Sequence, residues 1–256
     1  MRNLILQFAI GALVLGLAPY GSGATEPQTS KANMQSMTVA ELEKAGDEAR
    51  AQKDYAQAIK YFEEALRKDR KNATLYNKLG ITELKDGKLD PARVNFQQAV
   101  KRNSKFADAL NNLGAVYYMQ KNFSGAVKQF KKAVALDETR PTFHVNLGAA
   151  WFAQKKLDRA VAEYARALEL DPEALANQAR AGVTAQIANP EERAKFSFML
   201  AKIYAKRGDA EQCFRCLRMA KEEGYRDLAS VYKDEEFTSV RQDKRLAEIA
   251  PPPKSN

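Results

Sequence analysis

Two cysteines, Cys213 and Cys216, stand in the C-x-x-C spacing that lets one thiolate attack a disulfide while its neighbour resolves it. Such a pair is reactive when a helix N-terminus lowers the thiol pKa. Here the pair falls in the second turn of a helical segment, so two readings stand. One is an envelope thiol or redox site. The other is a buried small apolar residue beside a second helical thiol. His144 is the only histidine. Zinc needs several Cys, His or carboxylate ligands, and no Cys or His lies near it in the chain, so it reads as a packing residue. The acidic pairs Glu63-Glu64 and Glu222-Glu223 read as solvated helix faces, not as acid/base partners. No Ser/His/Asp arrangement, phosphate loop or cofactor motif stands out, and the expectation is a protein that is not an enzyme and carries no cofactor.

The elements that hold these residues follow from an internal period of 34 residues. Glycine recurs at Gly46, Gly80, Gly114 and Gly148, and alanine at Ala58, Ala92, Ala126 and Ala160. An aromatic follows at Phe62, Phe96, Phe130 and Tyr164, and a second alanine at Ala65, Ala99, Ala133 and Ala167. Within a unit, Leu113, Gly114 and Tyr117 are three and four apart, as are Ala126, Phe130, Ala133 and Val134, so each half presents one apolar helical face. Polar breakers such as Asp86-Gly87-Lys88 and Gln120-Lys121-Asn122 separate the halves. Each unit is therefore a helical hairpin, helix A then helix B. A glycine inside a helix costs roughly 0.5–1 kcal/mol relative to alanine, so its recurrence implies close approach of helix B at the first alanine.

This pattern resembles the tetratricopeptide repeat (TPR): in the third unit Leu110, Leu113-Gly114, Tyr117, Ala126, Phe130 and Ala133 stand at the family's offsets, and the fourth closes with Leu170-Asp171-Pro172. The resemblance covers 39–174 as units 39–72, 73–106, 107–140 and 141–174. It implies an all-α solenoid of stacked hairpins forming a right-handed superhelix, with a concave groove that binds peptides or proteins. The groove is lined by positions 2, 5, 9 and 12 of each helix A. In this chain these are Ala40, Glu43, Asp47 and Arg50, then Thr74, Asn77, Ile81 and Leu84. Asp108, Asn111, Ala115 and Tyr118 follow, and Thr142, Val145, Ala149 and Phe152 complete the row. The row runs from charged to aromatic, with Asn77 and Asn111 able to hold a ligand backbone and Tyr118 and Phe152 an apolar anchor; the alternative is that Leu84, Tyr118 and Phe152 pack against their neighbours or are covered by the spacer after Pro172. Family members that clamp a C-terminal carboxylate carry Lys and Asn where Glu43 and Asp47 stand, and both acids would repel it.

The flanks complete the reading. Met1-Arg2, an apolar run from Leu4 to Ala18, and the small residues Ser22-Gly23-Ala24 fit a signal peptide, 1–24, cleaved after Ala24. The run is shorter than the ~20 residues that span a bilayer, so the protein is expected to be exported, periplasmic or secreted, with a retained, uncleaved anchor as the alternative. Residues 25–38 read as a disordered linker and 175–193 as a helical spacer. A degenerate fifth unit, 194–227, has Cys213 in the alanine slot. A C-terminal cap, 228–250, covers the last repeat with Phe237, Val240, Leu246 and Ile249, and 251–256 reads as a disordered tail. The formal charge of +9 is compatible with peripheral contact at an anionic membrane, while export argues against nucleic acid. The expected function is a non-catalytic scaffold of a bacterial envelope. Alternatives are the thiol site above, or an accessory subunit of polysaccharide export or outer-membrane assembly.

Overall fold

The computed structural model describes residues 34–175 and 190–252. The expected signal peptide, residues 25–33 of the linker, 176–189 of the spacer and 253–256 of the tail lie outside the described residues. Two compact units divide the chain, 1–37 and 38–256. Of the first, the described residues include a short helical turn at 34–36, where the sequence suggests linker.

In the second unit every element is helical among the described residues. The first hairpin is α1 (Val39–Ala51) and α2 (Tyr55–Lys68), and the second is α3 (Ala73–Lys85) and α4 (Leu89–Arg102). Then come α5 (Ala107–Met119) with α6 (Phe123–Leu136), and α7 (Pro141–Ala153) with α8 (Leu157–Leu170). A fifth hairpin, α9 (Pro190–Lys206) and α10 (Ala210–Glu222), follows. Two 3-10 turns, Leu228–Tyr232 and Glu235–Phe237, lead to α11 (Lys244–Ile249).

The helix starts are written locally. Thr38 and Glu41 form a reciprocal capping box on α1. Asp54, Asn72, Asn122 and Asp209 cap α2, α3, α6 and α10 through their side chains. Pro190 opens α9 with Glu191 and Glu192 in its first turn, where the helix dipole favours negative charge. Between A and B the chain turns through a left-handed residue at one repeated position: Lys53, Gly87, Lys121 and Lys155, with φ of 64°, 79°, 58° and 60°.

The first alanine, the aromatic and the second alanine of each regular unit are buried. The atoms nearest to the repeated glycine are those of the aromatic ring of helix B. A Cβ on Gly114 would lie 2.6 Å from Phe130 Cε1, and one on Gly46, Gly80 or Gly148 would lie 2.7–2.9 Å from Phe62, Phe96 or Tyr164. The ring lies on bare backbone and thereby holds helix A against helix B. In the fifth hairpin the equivalent positions are Ala201 and Leu217, both buried: once the ring is gone, the glycine is too.

The C-terminal segment folds back over α9. Phe198 stacks on Tyr225 with centroids 4.2 Å apart, and its ring lies 5.6 Å from that of Phe237. Lys202 Nζ sits 3.2 Å from Asp234 and 3.3 Å from Glu236. Ser239 Oγ donates to the Ala205 carbonyl at 2.7 Å. Phe237, Val240, Leu246 and Ile249 are all buried, so the segment closes this end of the stack.

Candidate interaction groove

The row expected along the helices A divides into an open part and a closed part. Thr74 and Thr142 are exposed, while Ile81, Leu84, Asp108, Asn111, Ala115 and Tyr118 are half-buried. Ile81 and Leu84 rest on the core around Phe96, Leu113 and Val116. Tyr118 leans on Phe123 with centroids 5.4 Å apart, and burial pushes its phenol pKa up.

Asn77 is buried, and its partner explains why. Asn112 Nδ2 donates to Asn77 Oδ1 at 3.0 Å, and Asn146 Nδ2 donates to Asn111 Oδ1 at 2.8 Å. Position 6 of each helix A thus reaches back to position 5 of the preceding one, a rung repeated along the groove. The row of groove positions alone does not show that Asn112 and Asn146 engage Asn77 and Asn111. Both oxygens accept from the next unit, which leaves the NH₂ of the half-buried Asn111 for a ligand carbonyl.

The same rung exists in ionic form between units 1 and 2. Lys78 Nζ, again at position 6, lies 2.7 Å from Glu43 and also bonds Asp47. Arg50 Nη2 lies 2.7 Å from Asp47. Burial alone would lower the Lys78 pKa, but its bonds to Asp47 and Glu43 outweigh that and hold it above the ordinary lysine value. Two cations compensate two carboxylates, so Glu43 and Asp47 are paired within the groove. Asp108 is similarly engaged by Arg140 at 2.8 Å.

The fourth unit departs from expectation. Val145, Ala149 and Phe152 are only 1%, 6% and 9% exposed. Phe152 packs edge-on against Phe196 of α9 at 5.1 Å, and Val145 belongs to the same continuous core as Leu175, Phe196 and Phe198. These three residues are core, not groove, because the chain after α8 returns over them.

A model of the tetratricopeptide repeat matches residues 43–93 and 77–141, and a second such model matches 141–174. The chain belongs to the tetratricopeptide repeat family. Similar folds include MamA, at 19% identity over 77% of this chain and 95% of that one, with a TM-score of 0.53. YrrB, a TPR protein with an unusual peptide-binding site, is 18% identical over 82% of this chain and 98% of its own, with a TM-score of 0.53. MamA from Desulfovibrio magneticus RS-1, from residue 41 to its end, is 17% identical over 72% and 94%, also with a TM-score of 0.53. Among curated proteins none matches this chain. TPR units are, as a class, modules for protein–protein interaction.

The remaining chemistry-bearing residues of this TPR chain are drawn into its packing. Cys213 and Cys216 are free and buried, and burial pushes both thiols up to about 12. A redox pair needs the opposite shift. His144 is buried, with Nδ1 2.7 Å from Glu163 Oε2 and Nε2 3.0 Å from the Glu138 carbonyl. Both partners are acceptors, so both ring nitrogens are spent on local structure.

Proposed function

We propose that this TPR protein is a non-catalytic scaffold of the cell envelope that holds a peptide or protein segment in the groove of units 2 and 3. The carrying observation is the half-buried row Ile81, Leu84, Ala115 and Tyr118, with the NH₂ group of the half-buried Asn111 uncommitted beside it. Apolar side chains that stay partly open beside an oriented amide donor suit an extended segment. One of its carbonyls meets the amide and its side chains meet the row. YrrB, a TPR protein of similar fold, has an unusual peptide-binding site, which supports a peptide as the kind of ligand. The basic start, short apolar run and small residues of 1–24 support export, which would put the scaffold in the periplasm or outside the cell. An accessory role in polysaccharide export or outer-membrane assembly is a special case of this reading.

The test is a crosslinked pull-down from native envelope extract with the chain from Thr25 onward, compared with an Asn111→Ala/Tyr118→Ala variant of unchanged helical content. A partner captured by the parent and lost by the variant supports the groove. Equal capture by both, or none by either, overturns it.

A further inference from the structure

The positive charge of the chain is concentrated in one stretch. Between Lys85 and Leu136 stand ten basic and three acidic residues, so this stretch holds +7 of the formal +9. Each of the three acids is already engaged. Asp86 lies 2.8 Å from Lys88, Asp90 3.4 Å from Arg93, and Asp108 2.8 Å from Arg140. What is left over is cationic. Lys101, Lys105, Lys121, Lys128, Lys131 and Lys132 are all exposed, and none is in an ion pair among the described residues.

This surplus lies away from the groove, which helices A line, because α4 and α6 are helices B. Lys128, Lys131 and Lys132 are three and four apart and share the exposed face of α6, a helix with no acidic residue. Lys101 stands in the last turn of α4, and Lys105 just beyond it. Packing of the repeat does not demand these lysines. At the positions of Lys131 and Lys132, unit 1 has Glu63 and Glu64, unit 2 has Gln97 and Gln98, and unit 4 has Ala165 and Arg166. Asp137 and Glu138 mark the end of the patch, and the Asp137 carboxylate is bonded by Thr139.

Apolar side chains are interleaved with the charges. Val94, on α4 at the position equivalent to Lys128, is 46% exposed, and Leu136, one turn beyond Lys132, is 41% exposed. Met119, two residues before Lys121, is 50% exposed. Lysines among open aliphatic groups suit a bilayer surface: anionic headgroups attract the ammonium groups, and the aliphatic groups enter the acyl boundary. A surface for nucleic acid would offer rings on which bases stack, and no aromatic residue of this stretch is exposed. The exposed Arg102 is spent locally, stacked over Tyr76 at 4.1 Å and donating to the Arg70 carbonyl at 2.7 Å. The free cations are therefore lysines, mobile point charges without the fork that selects one phosphate or carboxylate.

We propose that the exposed faces of α4 and α6 are a docking surface for a bilayer bearing anionic phospholipid headgroups. The groove stays open when this surface is occupied, so the protein can hold a partner while seated on the membrane. The inference does not depend on what the groove holds.

The test is vesicle flotation with the chain from Thr25 onward. It keeps the whole compact unit 38–256 and omits the apolar run 4–18, which would bind lipid by itself. Vesicles of equal parts phosphatidylglycerol and phosphatidylcholine should carry the protein up, and vesicles of phosphatidylcholine alone should not. Binding should vanish at about 1 M salt, where the Debye length is about 3 Å. Each lysine at such a surface is worth roughly fivefold, so Lys128→Gln/Lys131→Gln/Lys132→Gln should weaken binding on the order of 100-fold. Gln97 and Gln98 already occupy two of the equivalent positions on α4, so this variant keeps the fold. Lys53→Gln/Lys206→Gln/Lys233→Gln removes the same charge from exposed sites elsewhere and should bind as the parent does. Failure to bind the anionic vesicles, or equal loss in the two variants, overturns the proposal. Tighter binding to single-stranded DNA than to vesicles, lost in the α6 variant, also overturns it and assigns the surface to nucleic acid.

Discussion

Gly114→Ala sets two physical effects against each other in one methyl group. Alanine in place of glycine within a helix gains roughly 0.8–1 kcal/mol of propensity. The new Cβ, however, would sit 2.6 and 2.7 Å from Cε1 and Cδ1 of Phe130. Carbon atoms rest at about 3.5–4.0 Å, so the ring or the helix must yield by roughly 1 Å. Phe130 is only 2% exposed, with no solvent side into which to retreat. Overpacking costs about 1–3 kcal/mol, and a ring with no room to retreat puts this contact in the upper half of that range, about 2–3 kcal/mol, so after the propensity gain the expected net loss is about 1–2 kcal/mol. The fifth hairpin supplies the partner substitution, since it carries Ala201 and Leu217 at the two positions. Phe130→Leu alone should destabilise through lost packing, by less than the roughly 3–5 kcal/mol of a Phe→Ala change. The double variant should lose less than the two singles together, with a coupling of about 1 kcal/mol or more. Urea unfolding of all four proteins, followed by helical circular dichroism, measures this, provided the m-values agree. Agreement matters because a stack of units can unfold in parts. A Gly114→Ala protein as stable as the parent, or four additive midpoints, would refute the ring-on-glycine account.

Two further perturbations probe buried groups. With both thiols pushed up to about 12, Cys213 and Cys216 should react with a disulfide reagent at neutral pH only after denaturant is added; rapid native labelling would revive the redox reading. Glu83 is buried, which raises its pKa above the ordinary 4.5 despite the 2.7 Å bond from Asn95. A raised folded-state value means that its contribution to stability is present below 4.5 and is lost as pH climbs through that raised value. Glu83→Gln keeps an acceptor for Asn95, so it should be more stable than the parent near about pH 7 and equal to it near about pH 4. Urea midpoints at the two pH values check this, and a difference that grows towards acid would contradict it.

The hairpins were legible in the sequence because their causes are local: four-residue apolar spacing, capping residues and polar turns recur in register. The fifth hairpin and its cap were legible for the same reason, since Cys213 and Ala220 keep the alanine slots and Gly224 stops the helix. What the sequence hid depends on residues about one period away. Glu43 and Asp47 look bare until Lys78 is brought beside them. Asn77 and Asn111 look free until Asn112 and Asn146 reach back. A spacing of 35, one period plus one, was the available signal for those rungs. That the chain after Pro172 could cover Phe152 was a legible alternative, but the residue that covers it, Phe196, stands on a helix beyond the regular repeat, where the period gives no register. The recurring glycines mark close approach of the two helices, and the atoms nearest to them belong to the ring four residues beyond the first alanine of helix B.

The rungs at positions 5 and 6 also give the units a word order. Unit 2 presents a cation backward, to Glu43 and Asp47, and an amide oxygen forward, to Asn112. Unit 4 offers an amide backward, from Asn146 to Asn111, but Val145 where the next acceptor would stand. Only unit 3 carries an amide at both places, Asn111 and Asn112. A copy of unit 3 could therefore follow itself and be read correctly, whereas unit 2 is written to follow unit 1 and unit 4 to end the phrase. A gene for a longer groove would lengthen at unit 3, and shuffling the others would leave a donor with nothing to answer it.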